Sequence, residues 1–132
     1  MSLLPFESKM LPVEPELIAP DGSNVRTLLR LKGGDMAHFE LAPGKTSTAI
    51  CNRSIEELWY ILSGEGEIWR QADGHELLTT LEAGLCISIP LGTKFQFRSS
   101  GSAPLKILGV AMPPFPGVSE TCIVEGRWTP EH

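Results

Sequence analysis

The sequence predicts an all-β domain, and three observations carry that expectation. Short runs rich in β-branched, aromatic and aliphatic residues recur between turn signals, the pattern of strands joined by tight connections. No segment of ten or more residues keeps its apolar side chains at helical spacing. The dipeptides Asp21-Gly22, Gly33-Gly34, Pro43-Gly44, Ser63-Gly64, Asp73-Gly74, Ala83-Gly84 and Ser100-Gly101 cut the chain into pieces of strand length.

Taken in order, Asp21-Gly22 opens a strand near 24–31, and Gly33-Gly34 separates it from a second near 35–42. A third is expected near 46–51, after Pro43-Gly44. The stretch RSIEELWYIL is ambiguous, because Glu56, Glu57 and Leu58 are good helix formers. It is short, and Gly64 and Gly66 follow at once, which favours a strand near 56–62. Strands near 65–71 and 76–82 flank Asp73-Gly74, a hairpin turn in which glycine supplies the positive φ. Ala83-Gly84 leads into 85–89, and the run 94–99 ends at Ser100-Gly101. The last two strands are expected near 104–111 and 120–124.

A chain of 132 residues makes one domain, since two cores would each be too small to offset chain entropy. The expected organisation is an extended N-terminal arm over 1–23, a barrel over 24–112 and a Pro-rich C-terminal arm over 113–132. Pro5, Pro12, Pro15 and Pro20 at one end, and Pro113, Pro114, Pro116 and Pro130 at the other, disfavour internal pairing of the arms. Leu3, Leu4, Phe6, Leu11 and Trp128 give the arms apolar side chains to pack on the barrel or on a second subunit.

A net charge of -5 leaves no electrostatic footprint for a phosphate backbone, so no nucleic acid is expected as partner. The N-terminal residues show neither a secretory pattern nor a membrane span, and a cytoplasmic protein is expected. Cys51, Cys86 and Cys122 are odd in number and lack a Cys-x-x-Cys spacing, which favours free, mostly buried thiols over a disulfide framework or structural zinc.

Two segments carry a family resemblance. Gly44 is followed by five residues to Ile50, then Cys51 and Asn52, four residues to Glu57 and six to Gly64. Gly84 is followed by five residues to Pro90, then Leu91 and Gly92, two residues to Phe95 and three to Ser99. This spacing resembles the two signature motifs of the cupin family, a double-stranded β-helix or jelly-roll barrel, and every spacer fits. In that family three histidines and a glutamate bind a metal. Here Ile50, Asn52 and Phe95 stand at the histidine positions, and Glu57 alone is kept. The resemblance also implies a homodimer, as small cupins commonly pair.

Strand alternation puts Ile50 with Asn52, Glu57 with Trp59 and Ile61, and Phe95 with Phe97 and Ser99. By cupin geometry these faces look into the barrel. A divalent metal needs converging imidazole and carboxylate donors, and isoleucine and phenylalanine have no lone pair, so neither metal nor other cofactor is expected. His75, after a turn, and His132, the last residue, are poorly placed for the interior. His38 either sits on a sheet face or projects into the barrel beside Glu57. In the second case the resemblance to metal-free cupin isomerases and epimerases implies proton transfer by the pair. Burial without a metal raises the Glu57 pKa toward the range of a general acid or base.

Ile50, Asn52, Trp59, Phe95, Phe97 and Ser99 are the candidate ligand-binding residues, with the aromatic members suited to a ring or an acyl group; the same aromatics equally fill a small barrel's core. Three functions follow. The favoured one is a metal-independent cupin holding a small organic molecule such as a sugar, acyl or aromatic compound, with isomerase-type or lyase-type proton transfer through Glu57. The others are a metal-dependent dioxygenase or sugar-phosphate isomerase with an irregular ligand set, and a non-catalytic dimeric module.

Overall fold

The structure, a computed structural model, describes residues 4–132; the expected packing of Leu3 lies outside them. Eleven strands form among the described residues: β1 (Leu17–Ile18), β2 (Asn24–Leu31), β3 (Gly34–Leu41), β4 (Ile50–Asn52), β5 (Glu56–Ser63), β6 (Glu65–Ala72), β7 (His75–Glu82), β8 (Cys86–Ile89), β9 (Lys94–Ser99), β10 (Leu105–Met112) and β11 (Thr121–Ile123). They make two sheets, ordered β1-β2-β3-β10-β5-β8 and β11-β4-β9-β6-β7, with every pairing antiparallel. The result is an all-β jelly-roll barrel. Among the described residues no helix is long and apolar enough to cross a membrane.

The ambiguous stretch is a strand. In β5 Trp59 and Ile61 are buried while Leu58, Tyr60 and Leu62 face outward, and this period of two is what a sheet with one buried face requires. Asp73 (φ 51) and Gly74 (φ 76) form the two-residue turn between β6 and β7, and both lie in the left-handed region that a type I′ hairpin uses.

The core lies between the sheets, where Leu41, Trp59, Ile61, Ile68, Leu81, Phe95, Phe97, Leu105 and Ile107 pack together. Trp59 organises its aromatic part. Phe95 and Phe97 meet it edge-on at 5.7 and 5.0 Å between ring centres, and Phe39 lies tilted at 5.9 Å.

The third expected strand is shorter than 46–51, because only Ile50–Asn52 joins a ladder. Ser47 explains the difference: its hydroxyl takes the N–H of Phe97 at 3.0 Å and its own N–H bonds the Phe97 carbonyl at 2.8 Å. A side-chain acceptor thus occupies a donor that a regular ladder would bond to backbone.

Both ends pair with the barrel. Leu17 and Ile18, within the stretch expected to be an arm without strands, pair with Val25 and Asn24, and the last expected strand forms as β11, paired with β4. Glu131 bridges Thr46 through two backbone bonds of 2.7 and 2.8 Å. Arg26 holds the N-terminal arm through the carbonyls of Pro12 and Val13, at 2.9 and 3.0 Å. The thiols are not mostly buried. Cys86 is exposed and Cys51 and Cys122 are half-buried, because all three lie on outward-facing or edge positions of their strands.

Candidate functional site

One cavity of about 320 Å³ opens beside Glu57. Its floor is the inner face of the six-stranded sheet, with Val25, Thr27, Ala37, Phe39, Glu57 and Trp59 exposed to it. Ile50, Asn52 and Phe95 come from the facing sheet. Two stretches of chain outside the main strands complete the wall: Leu17 to Asp21, and the segment carrying Phe115, Gly117 and Thr121. Gly109 on β10 makes room for the floor, because a Cβ there would overlap the Phe39 ring.

The Glu57 carboxylate receives one donor on each oxygen. Asn52 Nδ2 donates to Oε2 at 2.7 Å, and Trp59 Nε1 donates to Oε1 at 3.1 Å. β5 presents Glu57 and Trp59 on one face, two residues apart, and β4 ends at Asn52 to meet them. The carboxyl is enclosed by protein, with part of its surface facing the cavity. Burial pushes its pKa up, the Trp59 and Asn52 donors pull it down, and the charges of Asp21 and Asp35 add to the rise. The net direction is upward.

Asp21 is itself buried, and its Oδ1 accepts the amide and hydroxyl of Ser23 at 2.9 and 2.7 Å. Burial raises its pKa against those bonds. Asp35 has a mechanical role, since its Oδ2 accepts the Phe115 N–H at 3.1 Å. Arg30, opposite Asp35 in the β2–β3 register, donates to the Phe115 carbonyl at 3.4 Å. Together they hold the Phe115 backbone over the cavity.

Of the residues singled out by sequence, Glu57, Asn52, Ile50, Trp59 and Phe95 converge on this cavity. Phe97 is fully buried behind Trp59, and Ser99 is buried deeper in the barrel with its hydroxyl on the Ala103 carbonyl at 3.5 Å. His38 is not brought to Glu57. It lies on the opposite face of β3 from Ala37 and Phe39, between Arg26 and Leu108 in the register. Burial, with the charge of Arg26, lowers its pKa, and its Nδ1 has no hydrogen-bond partner.

A sequence signal for that placement exists. Ala37, Phe39 and Leu41 share the apolar face of the strand, which sends His38 outward by alternation. The same alternation puts Asp35 on the inner face, whereas nothing local marks Asp21, Arg30 or Phe115 as wall.

A divalent cation does not fit this donor set. Ile50 and Phe95 offer hydrocarbon, and Asn52 and Glu57 are bonded to one another. Among the described residues no three His, Cys, Asp or Glu side chains cluster as ligands.

The family profile described as "Cupin domain" matches residues 37–111. No curated protein matches the chain. Among solved structures, the CENP-C cupin domain of Drosophila melanogaster is similar with a TM-score of 0.63 at 15% identity, over 69% of this chain and 70% of that one. The capsular polysaccharide assembling protein CapF of Staphylococcus aureus gives 0.70 at 14% identity, over 87% of this chain and 35% of that one. Oxalate decarboxylase of Bacillus subtilis gives 0.66 at 22% identity, over 77% and 28%. The chain therefore spans about a third or less of the last two proteins, and at these identities the likeness is one of fold.

Proposed function

The chain belongs to the cupin family, and from that premise we propose that its barrel binds a small organic molecule without a metal and that Glu57 moves a proton on it. The observation that carries this reading is a cavity of about 320 Å³ walled by Trp59, Phe39 and Phe95 and holding one enclosed carboxylate with a donor on each oxygen.

The volume suits a sugar, an acyl group or an aromatic ring. The aromatic walls exclude water and give a flat apolar surface for a ring or chain. Burial favours neutral Glu57, while the N–H groups of Asn52 and Trp59 favour its anion. A carboxyl balanced in this way accepts a proton from one position of a bound molecule and returns it at another, the chemistry of an isomerase or lyase.

The test uses a panel of small sugars, acyl compounds and aromatic compounds, with the indole N–H resonance of Trp59 as reporter. Expected are compounds that shift Trp59 and leave Trp128 unmoved, and that exchange a ligand hydrogen for solvent deuterium. Glu57→Gln should keep the binding and lose the exchange. Exchange that survives the substitution would remove Glu57 as the proton carrier, and a panel that leaves Trp59 unmoved at every concentration would remove the binding site.

We also propose that two chains pair. Met36, Val110 and Leu58 form one row across the outer face of the six-stranded sheet, and Leu108 and Tyr60 continue the next. Met36, Leu58 and Tyr60 are 39, 45 and 46% exposed, and on the N-terminal arm Phe6, Met10 and Val13 are 67, 88 and 88% exposed. Apolar side chains left open in rows on a sheet face and along an arm are the signature of an association surface.

A further inference from the structure

The antiparallel pair β4–β11 sets Cys51 directly opposite Cys122. Residues so paired point to the same face with Cα atoms about 4.5 to 5.5 Å apart, inside the range of roughly 4.4 to 6.8 Å that a disulfide spans. The neighbours fix the face. Ile50 and Asn52 on either side of Cys51, and Thr121 beside Cys122, line the cavity, so the two thiols stand on the outside of the barrel. Both are half-buried and neither is bonded to another cysteine. Lys94 lies opposite Cys51 on its other flank, in β9. Burial and the neighbouring Cys122 raise the Cys51 thiol, and Glu120 adds to this, while Lys94 and Arg53 act in the opposite direction.

We propose that Cys51 and Cys122 are a redox modification site, forming a reversible intrachain disulfide that ties β11 to β4 when a small oxidised disulfide such as oxidised glutathione is present. The step balances by thiol–disulfide exchange. One cysteine thiolate attacks a glutathione sulfur, breaks its S–S bond and releases one glutathione thiol. The second cysteine then attacks the mixed disulfide, forms the Cys51–Cys122 bond and releases the second glutathione thiol. The two cysteine protons pass to the two glutathione thiols, so the pair is oxidised and the glutathione disulfide is reduced.

The position of the pair gives the bond a consequence. β11 is an edge strand held by three residue pairs, and short edge elements are where local opening starts. The segment that leads into it carries Phe115, Gly117 and Thr121, which wall the cavity. A covalent tie at Cys122 fixes that wall to β4, whereas in the dithiol form it rests on hydrogen bonds.

The experiment treats the full chain, at low protein concentration, with excess oxidised glutathione, then counts thiols and maps peptides without reduction. Expected is the loss of all three thiols, with a linked peptide joining Cys51 to Cys122, glutathione carried on the exposed Cys86 alone, and a rise of about 5 °C or more in the thermal midpoint, all reversed by dithiothreitol. Cys86→Ser should give the same linked peptide and the same rise with no glutathione retained. Cys51→Ser and Cys122→Ser should each lose both the linked peptide and the rise. Stable glutathione adducts on both cysteines without linkage, or linkage found only between chains, would overturn the proposal.

Discussion

Glu57 is set by two opposed influences, burial favouring its neutral form and the Asn52 and Trp59 donors favouring its anion, and burial prevails. A carboxyl whose pKa is higher in the folded chain binds its proton more tightly there than in the unfolded chain. Its contribution to stability is therefore complete below the ordinary value of 4.5 and is lost as pH rises through the raised value. Asp21 acts in the same direction from 3.8. Glu57→Gln should match the parent protein at pH 4 and become the more stable of the two as pH rises toward 8, since the glutamine carries no charge to desolvate. Urea unfolding of both proteins across that range checks the sign. A variant that loses stability at pH 8 would mean that the Asn52 and Trp59 bonds outweigh the cost of enclosing the charge.

The Gln96 side chain fastens the C-terminal arm to β9. It is fully buried, and its amide makes four bonds: Nε2 donates to the carbonyls of Ser47 and Trp128, each at 2.8 Å, and Oε1 accepts the N–H groups of Arg127 and Trp128, each at 2.9 Å. The Arg98 guanidinium lies 4.3 Å from the centre of the Trp128 ring and adds a cation–π contact. Gln96→Leu keeps the volume and removes all four bonds, leaving enclosed backbone groups without partners. The expected loss is about 2 to 4 kcal/mol, measured by urea unfolding, together with earlier proteolysis of residues 124–132. A similar clasp closes the β4–β5 connection, where the Glu120 carboxylate accepts the Ser54 amide at 2.7 Å, the Ser54 hydroxyl at 2.5 Å and the Ile55 amide at 3.1 Å. Neither clasp leaves a mark in the local pattern, because Gln96 and Glu120 read as ordinary polar residues until the distant backbone they bind is in place.

Across the whole molecule, two sheets closed on an aromatic core leave a cavity beside Glu57 and an apolar outer face. The proposed pairing of chains places that outer face and the N-terminal arm in contact with a second copy. The 132-residue chain should therefore show a dimer mass by light scattering, and a chain lacking residues 1–11 should shift toward the monomer mass, with β1 and the cavity wall retained. A monomer mass for the 132-residue chain would remove the pairing. The cavity depends on segments remote from the two motifs, since Phe115 is held by Asp35 and Arg30 from the opposite end of the barrel sequence.

Local pattern in the chain was enough for the all-β class, for the ten strands between 24 and 124 to within a few residues, and for which residues of β4, β5 and β9 share a face, because turn chemistry and a period of two are local properties. That these faces turn inward, bringing Glu57, Asn52, Trp59 and Phe95 together, was implied by the motif resemblance rather than by alternation. Tertiary structure alone decided that Phe97 and Ser99 lie in the core beyond the cavity, that Leu17–Ile18 forms a strand, and that the chain around Phe115 walls the site. Those outcomes depend on depth along the barrel and on partners up to 85 residues away, and no periodicity within one strand encodes either.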